Sequence, residues 1–284
     1  MSQIRVIALF TLRESLRRRV FLVVALLTAA FLGLYALGTW QLYRDVREVG
    51  SNGLGVDPEV IVGATVLGLA MFGTLFLGTV LAVFLTLGAV RGDAERGLLQ
   101  PLLVRPVSRR TLLLGRYAAA AGVCAAYVAA VFLAATVITW VMGGWWPDRI
   151  LGPAVGLSLA VAIIAALSLG GSVFLSSTAN GIAVFMVFGA GLVAGLLGQI
   201  GEALSSNTLE NVASVASWLL PFEGLYQASL AGLTSDTIGF TRLAIDLGPF
   251  GGAESAGPGL WLWAVVYLAL VGAWALRGFA RRDL

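Results

Sequence analysis

The chain has 284 residues, 59% of them hydrophobic and only 12% charged, with a net charge of +3 and a mean hydropathy of +0.93. A soluble domain carries about 45–50% apolar residues, so a water-soluble globule is excluded and no nucleic-acid partner is expected. Histidine and lysine are both absent. That rules out a histidine-based metal site, triad or proton relay, and a phosphate-binding loop that depends on lysine.

In chain order, residues 2–19 read as an N-terminal interfacial helix. Ile4, Ala8, Leu9, Leu12 and Leu16 share a face that Arg5 interrupts, and Arg13, Arg17, Arg18 and Arg19 crowd its end. Six apolar stretches follow, at about 20–38, 60–90, 112–142, 151–174, 181–200 and 260–276, none with a charge at its centre. About 20 such residues cross the hydrocarbon of a bilayer, so the fold class is an all-α polytopic membrane protein with six transmembrane helices. The second and third stretches, at about 31 residues or roughly 46 Å of helix, must tilt or project. The first is too long, and lacks the small-residue cleavage site, for a removed signal peptide. Cys124, the one cysteine, lies in an alanine-rich part of the third stretch and can form neither an internal disulfide nor a multi-cysteine metal site.

Arginine fixes the expected orientation. Fourteen of the 18 arginines flank one side of the stretches and four the other, so both termini and residues 91–117 are expected in the cytoplasm. Four acids fall inside and eleven outside, giving about +10 and −7. Seven of the eight tryptophans fall at the outer ends, as an aromatic belt requires; Trp274 is the exception. An all-arginine basic set suggests GC-rich codon usage, and hence the cytoplasmic membrane of a prokaryote.

Two connections stand out. Ser-Ser-Thr-Ala-Asn, residues 176–180, reads as a short cytoplasmic loop. Residues 201–259 form a long outer segment with a helical, mostly apolar part, LENVASVASWLLPFEGLYQASLAGL, whose charges are Glu210 and Glu223. Such a part would avoid water by lying in the outer leaflet or packing over the bundle. No enzyme chemistry is apparent: Asp57 and Glu59 read as a helix cap, and Ser176, Ser177 and Thr178 have no base to activate them. Spans without charges also count against an ion- or proton-coupled transporter, which usually buries an ionisable group at membrane depth. Glycines recur at 63, 68, 73 and 78, and Gly191 and Gly195 form a GxxxG. Gly68, Gly73, Gly191 and Gly195 are read as close helix packing, or as a movable or subunit-facing surface along a pathway.

Between the second and third spans lies RGDAERGLLQPLLVRPVSRRTLLLGRY, residues 91–117, with six arginines, two acids and two prolines. Pro101 and Pro106 limit helix continuity, the leucines of LLQPLLV give a short apolar surface, and Ser108 is placed to cap a helix starting near Arg109. The pattern suits a docking element better than a solvated loop.

Glu95 to Arg109, E-R-G-L-L-Q-P-L-L-V-R-P-V-S-R, with Gly115-Arg116-Tyr117, resembles the signature region of ABC-2-type permeases. These are membrane subunits of type V ATP-binding-cassette exporters, a group that includes the nitrous-oxide-reductase maturation permease. The six spans, the long outer segment and the closing F-A-R-R-D-L extend the resemblance over nearly the whole chain; Leu98 departs from a common threonine. The resemblance implies two permease subunits, identical or sister chains, forming the pore as a dimer. Separate ATPase subunits would hold ATP and magnesium, so this chain would bind no cofactor and catalyse nothing. Residues 91–111 would be the cytoplasmic coupling segment. Asp93, Glu95, Arg96 and Arg109 would make polar contacts with the ATPase, and Leu99, Leu102 and Leu103 would pack against it. Ser176, Ser177, Thr178 and Asn180 would form a second contact. A hydrophobic or amphiphilic cargo, such as a drug, lipid or antibiotic, suits uncharged spans. The alternatives are an ATP-independent transporter or channel, and a membrane scaffold that recruits a cytoplasmic partner.

Overall fold

The computed structural model describes residues 19–49, 57–87, 108–237 and 257–281. Within them the regular structure is helical: α1 Arg19–Val49, α2 Pro58–Thr86, α3 Arg109–Gly143, α4 Leu151–Phe174, α5 Ser177–Ala203, α6 Asn207–Leu219, α7 Pro221–Ala231 and α8 Pro258–Ala280, with a 3₁₀ turn at Gly232–Thr234. Six of these helices (α1 to α5 and α8) are long and apolar enough to cross a membrane. All but the last residue of the expected interfacial helix at 2–19, and all of 88–107 and 238–256, lie outside the described residues.

Local chemistry sets the helix starts and stops. Asp57 caps α2, accepting from the Glu59 amide at 3.1 Å, and Ser108 caps α3, accepting from the Thr111 amide at 3.1 Å. Both caps fill amide donors that no helical carbonyl reaches. α3 ends at Gly144, whose φ of 73° turns the chain while its N–H donates to the Trp140 carbonyl at 2.8 Å; a side chain would oppose that left-handed backbone.

Three helices extend beyond the apolar stretches expected to span. α1 does not stop at 38 but continues to Val49. No glycine or proline breaks it after Gly38, and Tyr43, 1% exposed, locks its end into the notch at Gly143. α5 begins at Ser177 rather than 181, so the 176–180 loop shrinks to Leu175 and Ser176, followed directly by a helical turn. α8 also runs past 276, to Ala280.

Neighbouring helices alternate in direction. At what is here termed the proximal end, α2, α4 and α8 finish and α3 and α5 begin: Leu87 approaches Gly181, and Phe174 approaches Gly278. At the distal end Gly63 meets Trp145 and Tyr43. α4 is the central post, packed on α2, α3, α5, α7 and α8, and Leu157, Ala160, Val161, Ile163 and Ala165 on it are fully buried. By contrast α1, α5 and α8 leave most of their apolar surface open. Thr74, Thr79, Thr136 and Thr139 return their hydroxyl protons to the carbonyl one turn back, which keeps polar groups satisfied inside apolar helices.

The helices α6 and α7 form a hairpin that inserts at the distal end. α6 runs back along α5, with Ala213 against Gly198 and Leu209 against Gly201. The chain then breaks at Leu220-Pro221. α7 climbs out along α4, with Ser229 against Gly156 and Gly232 against Pro153. Beyond it, the Asp236 amide donates to Asp148 at 2.9 Å, and the Asp148 amide donates to the Leu233 carbonyl at 3.1 Å. The two distal connections are thereby tied together. α6 itself has no buried residue.

Candidate functional site

At the proximal end the chain leaves α2 at Leu87 and returns at Ser108. Asp93, Glu95, Arg96, Leu99, Leu102 and Leu103 all fall between these points, outside the described residues. Arg109 is the first residue of α3, directly after the Ser108 cap. Ser176 and Thr178 are exposed, and Ser177 is half-buried. Leu87 and Val83 of α2 pack against Gly181 of α5. The two candidate contact segments therefore start from one spot.

Asn180 differs from its neighbours. It is 1% exposed and turns inward, so its side chain is not a surface contact in this chain. Its Nδ2 donates to the Ser168 carbonyl at 2.9 Å and to Ser168 Oγ at 3.5 Å. Ser168 Oγ is in turn hydrogen-bonded to Thr86 Oγ1 at 2.6 Å. Thr86, Ser168 and Asn180 belong to α2, α4 and α5, and all three are buried. The approach is close because residue 171 is glycine: a Cβ there would collide with Asn180 Oδ1. This clasp joins the end of α2 to the start of α5 through α4. In hydrocarbon its bonds resist separation, because parted partners find no water to replace them.

The glycines singled out in the second and fifth spans are buried or face neighbours within the chain. Gly68 is buried. A Cβ at Gly73 would lie 2.5 Å from the Phe31 ring of α1, and one at Gly78 would lie 2.5 Å from Val128 of α3. Gly191 and Gly195 receive α7: a Cβ at Gly191 would lie 2.5 Å from the Phe222 ring, and one at Gly195 would collide with the Glu223 carboxyl. Phe222 also stacks on Phe188 of α5, with centroids 6.1 Å apart.

Glu223 is the residue that sequence reading passed over. It is 4% exposed, and burial pushes its carboxyl up to about 7, opposed by a hydrogen bond from Gln227. Gln227 Nε2 donates to Glu223 Oε1 at 2.8 Å. Although the spans carry no charge at their centres, an ionisable group enters the bundle from α7. One signal was present in the sequence: a glutamate and a glutamine one helical turn apart in the otherwise apolar PFEGLYQASLAGL.

These features define a polytopic membrane protein with a helical hairpin packed at its distal end. A family model described as "ABC-2 family transporter protein" matches residues 5–284, and the chain belongs to that family. It is a membrane permease of the ATP-binding-cassette class. A search among curated proteins found no match.

Proposed function

We propose that this permease forms the export pathway as a dimer, driven by separate ATPase subunits that grip the proximal end. The observation that carries this reading is the junction of the two contact segments: α2 enters 88–107 beside Gly181, and the Thr86–Ser168–Asn180 clasp lies directly behind it. A displacement applied at 88–107 would pass through the clasp to α4 and the start of α5. α5 can respond because much of its surface is unpacked. The arginine asymmetry supports a cytoplasmic proximal end, and with it cytoplasmic termini.

The second copy would face α2 and α5. Leu69, Phe72 and Phe76 of α2 are exposed, as are Ile182 and Met186 of α5, and the Phe76 and Phe185 rings lie 6.4 Å apart. An apolar wall of this kind suits hydrophobic or amphiphilic cargo. The test is reconstitution in liposomes with the ATPase encoded alongside the permease. Hydrolysis stimulated by apolar cargo, and cargo movement that stops without ATP, are expected. Counterflow of cargo in liposomes lacking any ATPase would refute the reading.

A further inference from the structure

Glu223 sits on a seam between two parts of the bundle. α7 is anchored on α4 and touches α8, with Gly224 against Leu260 and Ser229 against Gly156. On the other side α5 packs most extensively on α6, and more lightly on α4 and α7. Across the seam Glu223 meets Gly195, which is itself half-exposed, and Phe222 meets Gly191. Glycine lets the two backbones close on each other, and it leaves no side chain to shield the carboxyl if they part.

Among the described residues, no cation accompanies this carboxyl. α4 carries no charge. On α5 the one ionisable residue is Glu202, seven positions beyond Gly195, and on α6 it is Glu210, beside Gly201. α8 brings Tyr267 and Arg277, the latter 17 residues from Leu260, or about 25 Å along the helix. On α7 itself is Tyr226, whose hydroxyl is raised by burial and by the carboxyl charge. A buried, unpaired carboxylate is strongly disfavoured and takes up a proton instead.

A second observation points to the same proton. Gln227 Oε1 is buried and accepts no hydrogen bond, while Nε2 of the same amide donates to Glu223. The Tyr226 hydroxyl is also buried without a partner. A carboxylate offers only acceptors, so it cannot satisfy Gln227 Oε1; a neutral carboxyl has one O–H to give. An acid and an amide that face each other pair fully only when the acid is protonated.

We propose that the α5–α7 seam is a proton-controlled latch, with Glu223 binding a proton while the seam is closed and releasing it to water entering past Gly195 as the seam opens. The sign follows from linkage. The closed seam holds the proton more tightly than a water-exposed carboxyl would, so closure is favoured in acid. That advantage fades as pH rises from about 4.5 to about 7, by up to about tenfold in the open-to-closed ratio per pH unit. The latch stands whether or not an ATPase drives the movement.

The test uses the full chain in nanodiscs, with Cys124→Ser as background and spin labels at Ile200→Cys on α5 and Leu262→Cys on α8. Unlabelled chain is added so that distances within one chain are read. Between about pH 5 and pH 8.5 the distance distribution is expected to shift toward longer separations, and Glu223→Gln, neutral at both values, is expected to keep the acid distribution. An unchanged wild-type distribution, or a Glu223→Gln protein that still responds to pH, would overturn the proposal. A titration in the infrared, which needs no labels, adds a second readout. A protonated buried carboxyl band that disappears over the same window supports the latch, and its absence at about pH 5 contradicts it.

Discussion

At the scale of single residues, glycine has two different uses in this bundle, and α3 contains one of each. At Gly143 a Cβ would overlap the ring of Tyr43, which is buried and hydrogen-bonded to the Glu59 carbonyl at 3.3 Å. That ring has nowhere to swing, so Gly143→Ala is expected to destabilise by about 1–3 kcal/mol. Gly122, on the same helix, faces nothing within 4 Å, and Gly122→Ala should be neutral or gain about 0.5–1 kcal/mol. Thermal unfolding in detergent compares the two; equal effects would mean that the α1–α3 contact is wrong. The glycine spacing in the sequence could not separate these cases, because spacing shows which residues are small and not what packs on them. The caps at Asp57 and Ser108 were legible, since a cap is a contact within three residues. Glu223 was not: its burial depends on Gly191 and Gly195, some thirty residues earlier in the chain.

At the scale of elements, the apolar stretches revealed all six helices that are long and apolar enough to cross a membrane among the described residues, because crossing hydrocarbon demands length and apolarity alone. Their ends were harder to place. The first turn of α5 is Ser-Thr-Ala-Asn, a polar sequence that suits a loop, and it is helical because Asn180 finds Ser168 across the bundle. The clasp leads to a prediction at this scale. Asn180→Ala removes two donated bonds and should lower stability by about 1–2 kcal/mol. If the clasp carries motion from α2 to α5, it should also lower the amount of cargo moved per ATP hydrolysed while the ATPase stays bound. A fall in stability with an unchanged ratio would make the clasp structural only. Sequence alone read Asn180 as a surface contact, since an asparagine beside exposed serines carries no mark of the face it takes.

At the scale of the whole molecule, the chain divides its labour between two ends. The proximal end gathers the exit of α2, the capped start of α3 and the first turn of α5, and it is where a motor would hold. The distal end carries the hairpin, the glycine seam and the buried carboxyl of Glu223. α4 runs between them and touches the elements of both ends. The central claim is that the proximal end engages an ATPase through residues 91–111. Its most direct test is co-purification of the permease with the ATPase encoded beside it, comparing wild type with Glu95→Arg plus Leu102→Asp. The account predicts a stable complex that the double substitution abolishes, while the permease still reaches the membrane. Absence of a wild-type complex, or a complex that survives both changes, would contradict it.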